Sequence, residues 1–146
     1  MQPLTKKYQN IGKLGVVTTP FGGATKNEPS HPAVDIANVK GTPISSPIEG
    51  VVTRADYGHV QGENNPGNSV TITDKSGNQH QFNHLNNGYV RLGQQVAKRQ
   101  TLGQMGNTGA TYSQSGKGDG THLDYRIVSA YGKYKNPTGY IKNLAK

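Results

Sequence analysis

The chain contains no cysteine, so it uses neither disulfides nor thiolate ligands, and any metal it holds must sit on histidine and carboxylate. That absence fits either redox compartment. No apolar run is long enough to cross a bilayer, and the opening MQPLTKKYQN lacks the apolar stretch of a secretory signal. The expectation is a protein that does not insert in membranes and that something else delivers if it works outside a cell. A sustained helical period is missing as well, and so are linkers, low-complexity tracts and internal repeats. A helical fold and a multidomain array are thereby set aside.

What is present points to β structure. Glycine (20), proline (8) and tyrosine (8) are plentiful for 146 residues, and the apolar residues come in short alternating runs between turn signals. Such a chain reads as one mainly β, antiparallel, loop-rich domain. Short strands are expected from Leu14 up to Pro20, at Pro43-Ile44, over Val51–Arg54, Val90–Val96 and Gln100–Met105. Ser69–Thr73 and Gln79–Leu85, joined by Lys75-Ser76-Gly77-Asn78, read as a hairpin. Residues 1 to 12 read as a polar arm, and 110 to 121 as a Gly- and Ser-rich loop.

A formal charge of +8 and a pI near 9.7 draw the chain toward polyanions. The basic residues are dispersed in small clusters such as Lys6-Lys7 and Lys98-Arg99, and no nucleic-acid motif accompanies them. A solvated basic surface is therefore the reading, and nucleic acid is not an expected partner.

The chemistry gathers in two short motifs. HPAVD carries His31 and Asp35, and GTHLDYRI carries His122 and Asp124. In an extended strand His122, Asp124 and Arg126 share one face while Leu123, Tyr125 and Ile127 share the other. An imidazole and a carboxylate thus stand side by side on a rigid polar face. A zinc ion that does chemistry needs about three protein ligands and an open position. His31, Asp35 and one group from the last strand would fill that number, with His84 of FNHLNNG at the end of a neighbouring strand. His59 and His80, in a loop and beside a turn, read as hydrogen-bonded or solvent-exposed bystanders. Arg126 either orients a substrate carboxylate, pairs with Asp124, or is a surface residue.

The ordered set HPAVDIANVKGTPISSPIEGVV, FNHL, VRLGQQVAKRQTLGQMGNTG and GTHLDYRI, over about residues 18 to 128, resembles the lysostaphin and LytM-type zinc endopeptidases that cut peptidoglycan peptides. The resemblance implies an antiparallel sheet forming a groove, with residues 1–17 as an arm and first strand and 18–146 as the metallopeptidase-like domain. It implies zinc on His31, Asp35 and Asp124, with His84 and His122 as the catalytic pair beside the reacting water. The final motif of the family is ordinarily HxH, and here Asp124 stands in the last place. Two carboxylates with one imidazole cancel the formal charge of a dication, where two imidazoles and one carboxylate leave +1. The alternative implied by the same resemblance is a catalytically degenerate domain that binds the wall or regulates another hydrolase. Either would act at the bacterial cell wall as a monomer, in a setting expected to be phage-associated, and the loops at 22–30 and 110–121 would wall the groove.

Overall fold

The computed structural model describes residues 7–22, 30–111 and 118–145. The last long strand, β9 (Leu123–Val128), shows why the sheet forms. Leu123, Tyr125 and Ile127 are buried on one side of it, as the alternation requires. Around it lie β1 (Val16–Thr19), β2 (Val34–Ala37), β3 (Pro43–Ser45), β4 (Gly50–Asp56), β5 (Asn68–Thr73), β6 (Gln79–Gly88), β7 (Gln95–Val96), β8 (Thr101–Met105) and β10 (Tyr134–Lys135). The main path of the sheet runs β1-β2-β9-β6-β5-β4-β7. β10 joins β9, and β8 links β3 to β6. Every strand pairing is antiparallel. The mainly β, antiparallel fold is therefore the one expected.

One core face holds the sheet together. Phe82 on β6 and Tyr125 on β9 stand opposite each other and stack with ring centroids 5.0 Å apart, a contact worth about 0.5–1.5 kcal/mol beyond the area it buries. Ile36, Val70, Ile72, Leu85, Leu102 and Met105 complete the layer from the neighbouring strands. His80 lies fully buried at the edge of this layer. It shares a 2.8 Å hydrogen bond with the Tyr125 hydroxyl and meets the Tyr140 ring edge-on at 5.1 Å.

The structure departs from the sequence reading in several places. β2 was not expected, because VDIA follows a Pro-containing stretch and is too short to show a period. Only Gln95-Val96 of the expected strand Val90–Val96 is extended, because Arg91 to Gln94 closes as a turn with its own backbone hydrogen bond. The first strand begins at Val16, since Gly12–Leu14 forms a 3-10 turn. The arm is not wholly detached: Asn10 bridges Val16 and Leu14 is buried in the core. A second 3-10 segment, Thr138–Asn143, packs Ile141 against the core. Residues 1–6 of the arm, and 23–29 and 112–117 of the two loops expected to wall the groove, lie outside the described residues. No helix among the described residues is long and apolar enough to cross a membrane.

The opposite face of β4, β5, β6 and β9 is polar and forms the floor of a groove of about 760 Å³, with Thr71, Gln81, Asn83, His84, Asp124 and Arg126 among its lining residues.

Candidate metal centre and its flanking histidines

The register of three strands assembles the centre. Asp35 on β2 lies directly opposite Asp124 on β9, and Asp124 lies opposite Asn83 on β6. Side chains paired in this way project from the same face. His31 arrives from the loop before β2 and is buried. One donor atom each from His31, Asp35 and Asp124 falls within 4.8 Å of the others. Sequence reasoning drew these residues from motifs far apart in the chain, and the fold brings them together.

The orientation of His31 suits a ligand. Its Nδ1 donates to the Ala33 carbonyl at 2.7 Å, and because a carbonyl can only accept, the neutral tautomer this bond selects carries its lone pair on Nε2. That Nε2 faces the Asp35 carboxylate at 3.3 Å. A contact at this distance is satisfied by a proton on Nε2 or by a metal cation bound to both groups. One imidazole and two carboxylates are also a borderline-to-hard donor set of the kind that takes zinc or manganese, so the residues present fit a dication.

Asp124 is held differently from Asp35. Arg126 donates to it twice, Nε to Oδ1 at 2.9 Å and the guanidinium NH2 to Oδ2 at 2.6 Å, and Asn83 adds a longer bond to Oδ1 at 3.3 Å. Burial alone would push the Asp124 carboxyl up, but the two bonds and the charge of Arg126 outweigh it and hold the group below the usual carboxylate range. Of the roles open to Arg126 in the sequence, the structure shows the pairing with Asp124. The guanidinium also lies 5.9 Å from the centre of the Tyr134 ring on β10.

His84 reaches the groove through a defect in the sheet. Strict alternation along β6 would put it on the same side as His80 and Phe82, in the core. Between Val70↔Phe82 and Asn68↔Leu85, however, β6 spends one more residue than β5. This bulge carries His84 at φ +65°, the left-handed region that a non-glycine residue seldom adopts. It returns Leu85 to the core and sends His84 to the groove lining. The His84 backbone N–H donates to the Pro66 carbonyl at 2.9 Å. Its ring is buried, and that burial, followed by the neighbouring His122, pushes its pKa down to about 4.

His122 stands just before β9, half-buried, with its backbone N–H on the Gly106 carbonyl at 3.1 Å. The His84 and His122 rings lie 4.9 Å apart. Nδ1 of His84 donates to the Thr108 carbonyl at 2.8 Å, and Nδ1 of His122 to the Gly120 carbonyl at 2.9 Å. These contacts place a proton on Nδ1 of both rings, so that Nε2 is the nitrogen free to exchange one. Two contributors had no signal in a period-2 reading. Gly106 lies so close to β6 that a Cβ there would fall 2.3 Å from the Asn86 nitrogen. The Thr108 carbonyl accepts the hydrogen bond from His84 Nδ1, while the Thr108 hydroxyl donates to the Leu85 carbonyl at 2.7 Å.

The remaining histidine, His59, lies between two acidic groups, 3.0 Å from Asp56 and 3.4 Å from Glu63. These contacts are ion pairs local to its own stretch of chain.

Comparison with known proteins bears on the family and the fold. Among curated sequences the chain is 33% identical over 125 residues to an uncharacterized metalloprotease of Buchnera aphidicola, covering 86% of this chain and 30% of that protein. It is 31% identical over 108 residues to the peptidoglycan DD-endopeptidase ShyC of Vibrio cholerae, covering 74% and 22%. The chain thus spans less than a third of the curated relatives it matches. Its fold is similar to that of LytU, with a TM-score of 0.70 at 24% identity over 96% of this chain and 93% of that one. It is likewise similar to lysostaphin from Staphylococcus simulans, with a TM-score of 0.70 at 20% identity over 93% and 52%. The sequence profile of Peptidase family M23 matches residues 29–137, and on that match the chain belongs to peptidase family M23.

Proposed function

We propose that the chain is a zinc-dependent endopeptidase that hydrolyses peptide bonds of bacterial peptidoglycan at the cell wall. The observation that carries this reading is the donor cluster of His31, Asp35 and Asp124 beside the His84–His122 pair. Membership of the peptidase family and the likeness to peptidoglycan DD-endopeptidases of Vibrio cholerae support it.

His31, Asp35 and Asp124 would hold the zinc, which when bound supplies Lewis-acid polarisation of the scissile carbonyl and of a water. The chain does the rest. The polar floor of β4, β5, β6 and β9 offers side-chain donors and acceptors to an extended peptide. His84, which lines the groove and is kept neutral by burial, and His122, whose ring lies 4.9 Å from it, each have Nδ1 on a carbonyl, and the Nε2 of either would accept the proton of the attacking water. Once protonated, the same nitrogen donates to the oxyanion or to the leaving amine.

The test is to incubate the purified chain with peptidoglycan and read released amino termini by mass spectrometry. Cleavage that a chelator stops and zinc restores is the expected result. Wall binding without cleavage at any metal concentration would instead favour a degenerate wall-binding domain.

A further inference from the structure

Arg126 grips both oxygens of the carboxylate that would complete the centre. A guanidinium is charged at every relevant pH, and its fork holds a carboxylate in one orientation. Asp124 is buried, Arg126 is half-buried with 19% of its side chain exposed, and the pair carries no net charge. From the viewpoint of a bound dication it is therefore closer to a neutral imidazole than to a free carboxylate. Counting Asp35, Asp124 and Arg126 together, the protein contributes −1 to the centre rather than −2, so the cancellation of metal charge expected from the motif alone does not arise.

We propose that Arg126 is a positioning residue that neutralises and orients Asp124, so that the pair serves as one charge-neutral third ligand. The proposal rests on the reading of His31, Asp35 and Asp124 as a metal centre. It makes a prediction opposite to the one the motif suggests. Replacing Asp124 by histidine looks like an improvement for zinc, yet it leaves the half-buried Arg126 guanidinium without its carboxylate near the ion, where like charges at short range and reduced solvation repel.

Four proteins decide it, each stripped of metal and titrated calorimetrically with Zn²⁺ and, separately, Mn²⁺: wild type, Asp124→His, Arg126→Met and the double variant Asp124→His/Arg126→Met. Asp124→His should bind zinc about tenfold or more weakly than wild type, and the double variant should return to within about tenfold of wild type. Arg126→Met, which bares a carboxylate, should bind both ions more tightly and prefer zinc over manganese by a smaller ratio. If Arg126→Met fails to fold because its Asp124 is left unpaired, the contrast between Asp124→His and the double variant still decides, since neither contains an uncompensated carboxylate at 124. Tighter zinc binding by Asp124→His alone, or no recovery in the double variant, overturns the proposal while leaving the metal centre standing. Absence of binding in all four overturns both.

Discussion

Asp35 and Asp124 face each other across β2 and β9, two carboxylates in directly opposed positions of one antiparallel pair. Like charges so placed oppose sheet formation by about 0.2–1 kcal/mol. Arg126 pairs with Asp124 and His31 lies 3.3 Å from Asp35, and a bound metal would relieve the repulsion that remains between the two carboxylates. Asp35→Ala should therefore separate metal binding from folding. The variant is expected to lose the one zinc per chain that elemental analysis should find in the wild type, while its metal-free form melts at the wild-type temperature or above. Stoichiometric zinc in Asp35→Ala would remove Asp35 from the centre.

His84→Ala and His122→Ala should keep the metal and lose turnover, each by about a hundredfold or more, because their rings handle the proton rather than the ion. Metal content and single-turnover rate measured on the same preparation check this. Loss of zinc in both variants would make them ligands.

The bulge at His84 imposes a backbone requirement that can be measured apart from the chemistry. At φ +65° a β-branched residue is disfavoured, whereas asparagine tolerates the region and can still donate locally. Denaturant unfolding should find His84→Val less stable than His84→Asn by about 1–2 kcal/mol, although both variants are inactive. Equal stabilities would mean that β6 straightens when the histidine is removed.

Acid should weaken the fold through its buried histidines. Burial lowers the pKa of His80, partly offset by Asp74, and lowers that of His84 to about 4. The unfolded chain takes up these protons near the ordinary value of about 6.5, so between there and the folded values it holds more protons than the native state, and stability falls as pH falls. For His84 the loss runs from about pH 6.5 down to about 4. Stability by urea unfolding at pH 7.5 and pH 5 should show this drop in the metal-free protein, and a smaller drop in His80→Gln. An identical drop in the variant would exclude His80 as a source.

Much of this was visible in the residues. The alternation of LDYRI fixed which side of β9 is core, and the pairing of SVTIT with the strand that returns from Lys75-Ser76-Gly77-Asn78 is the β5–β6 hairpin. The same period misplaces His84, because a bulge shifts the phase by one residue and no local composition announces it. β2 was missed for a related reason. Four residues next to a proline carry too little pattern, and what makes them a strand is the edge of β9, supplied by the far end of the chain. The grip of Arg126 on Asp124 was one option among three in the sequence, since spacing places both on one face but does not say whether the guanidinium turns inward or out to solvent.

The pairing of β2 with β9 also governs when the centre can exist. His31 and Asp35 come early in the chain and Asp124 late, and β9 lies between β2 and β6 in the sheet. No partial chain ending before Leu123 contains the strand that joins the two halves of the site. Contacts so distant in sequence carry a large loop-closure cost and form slowly. On the proposed function, a nascent or partly refolded molecule would be inert toward peptide until its last long strand docks, and recovery of metal binding during refolding should trace that docking rather than closure of the local β5–β6 hairpin.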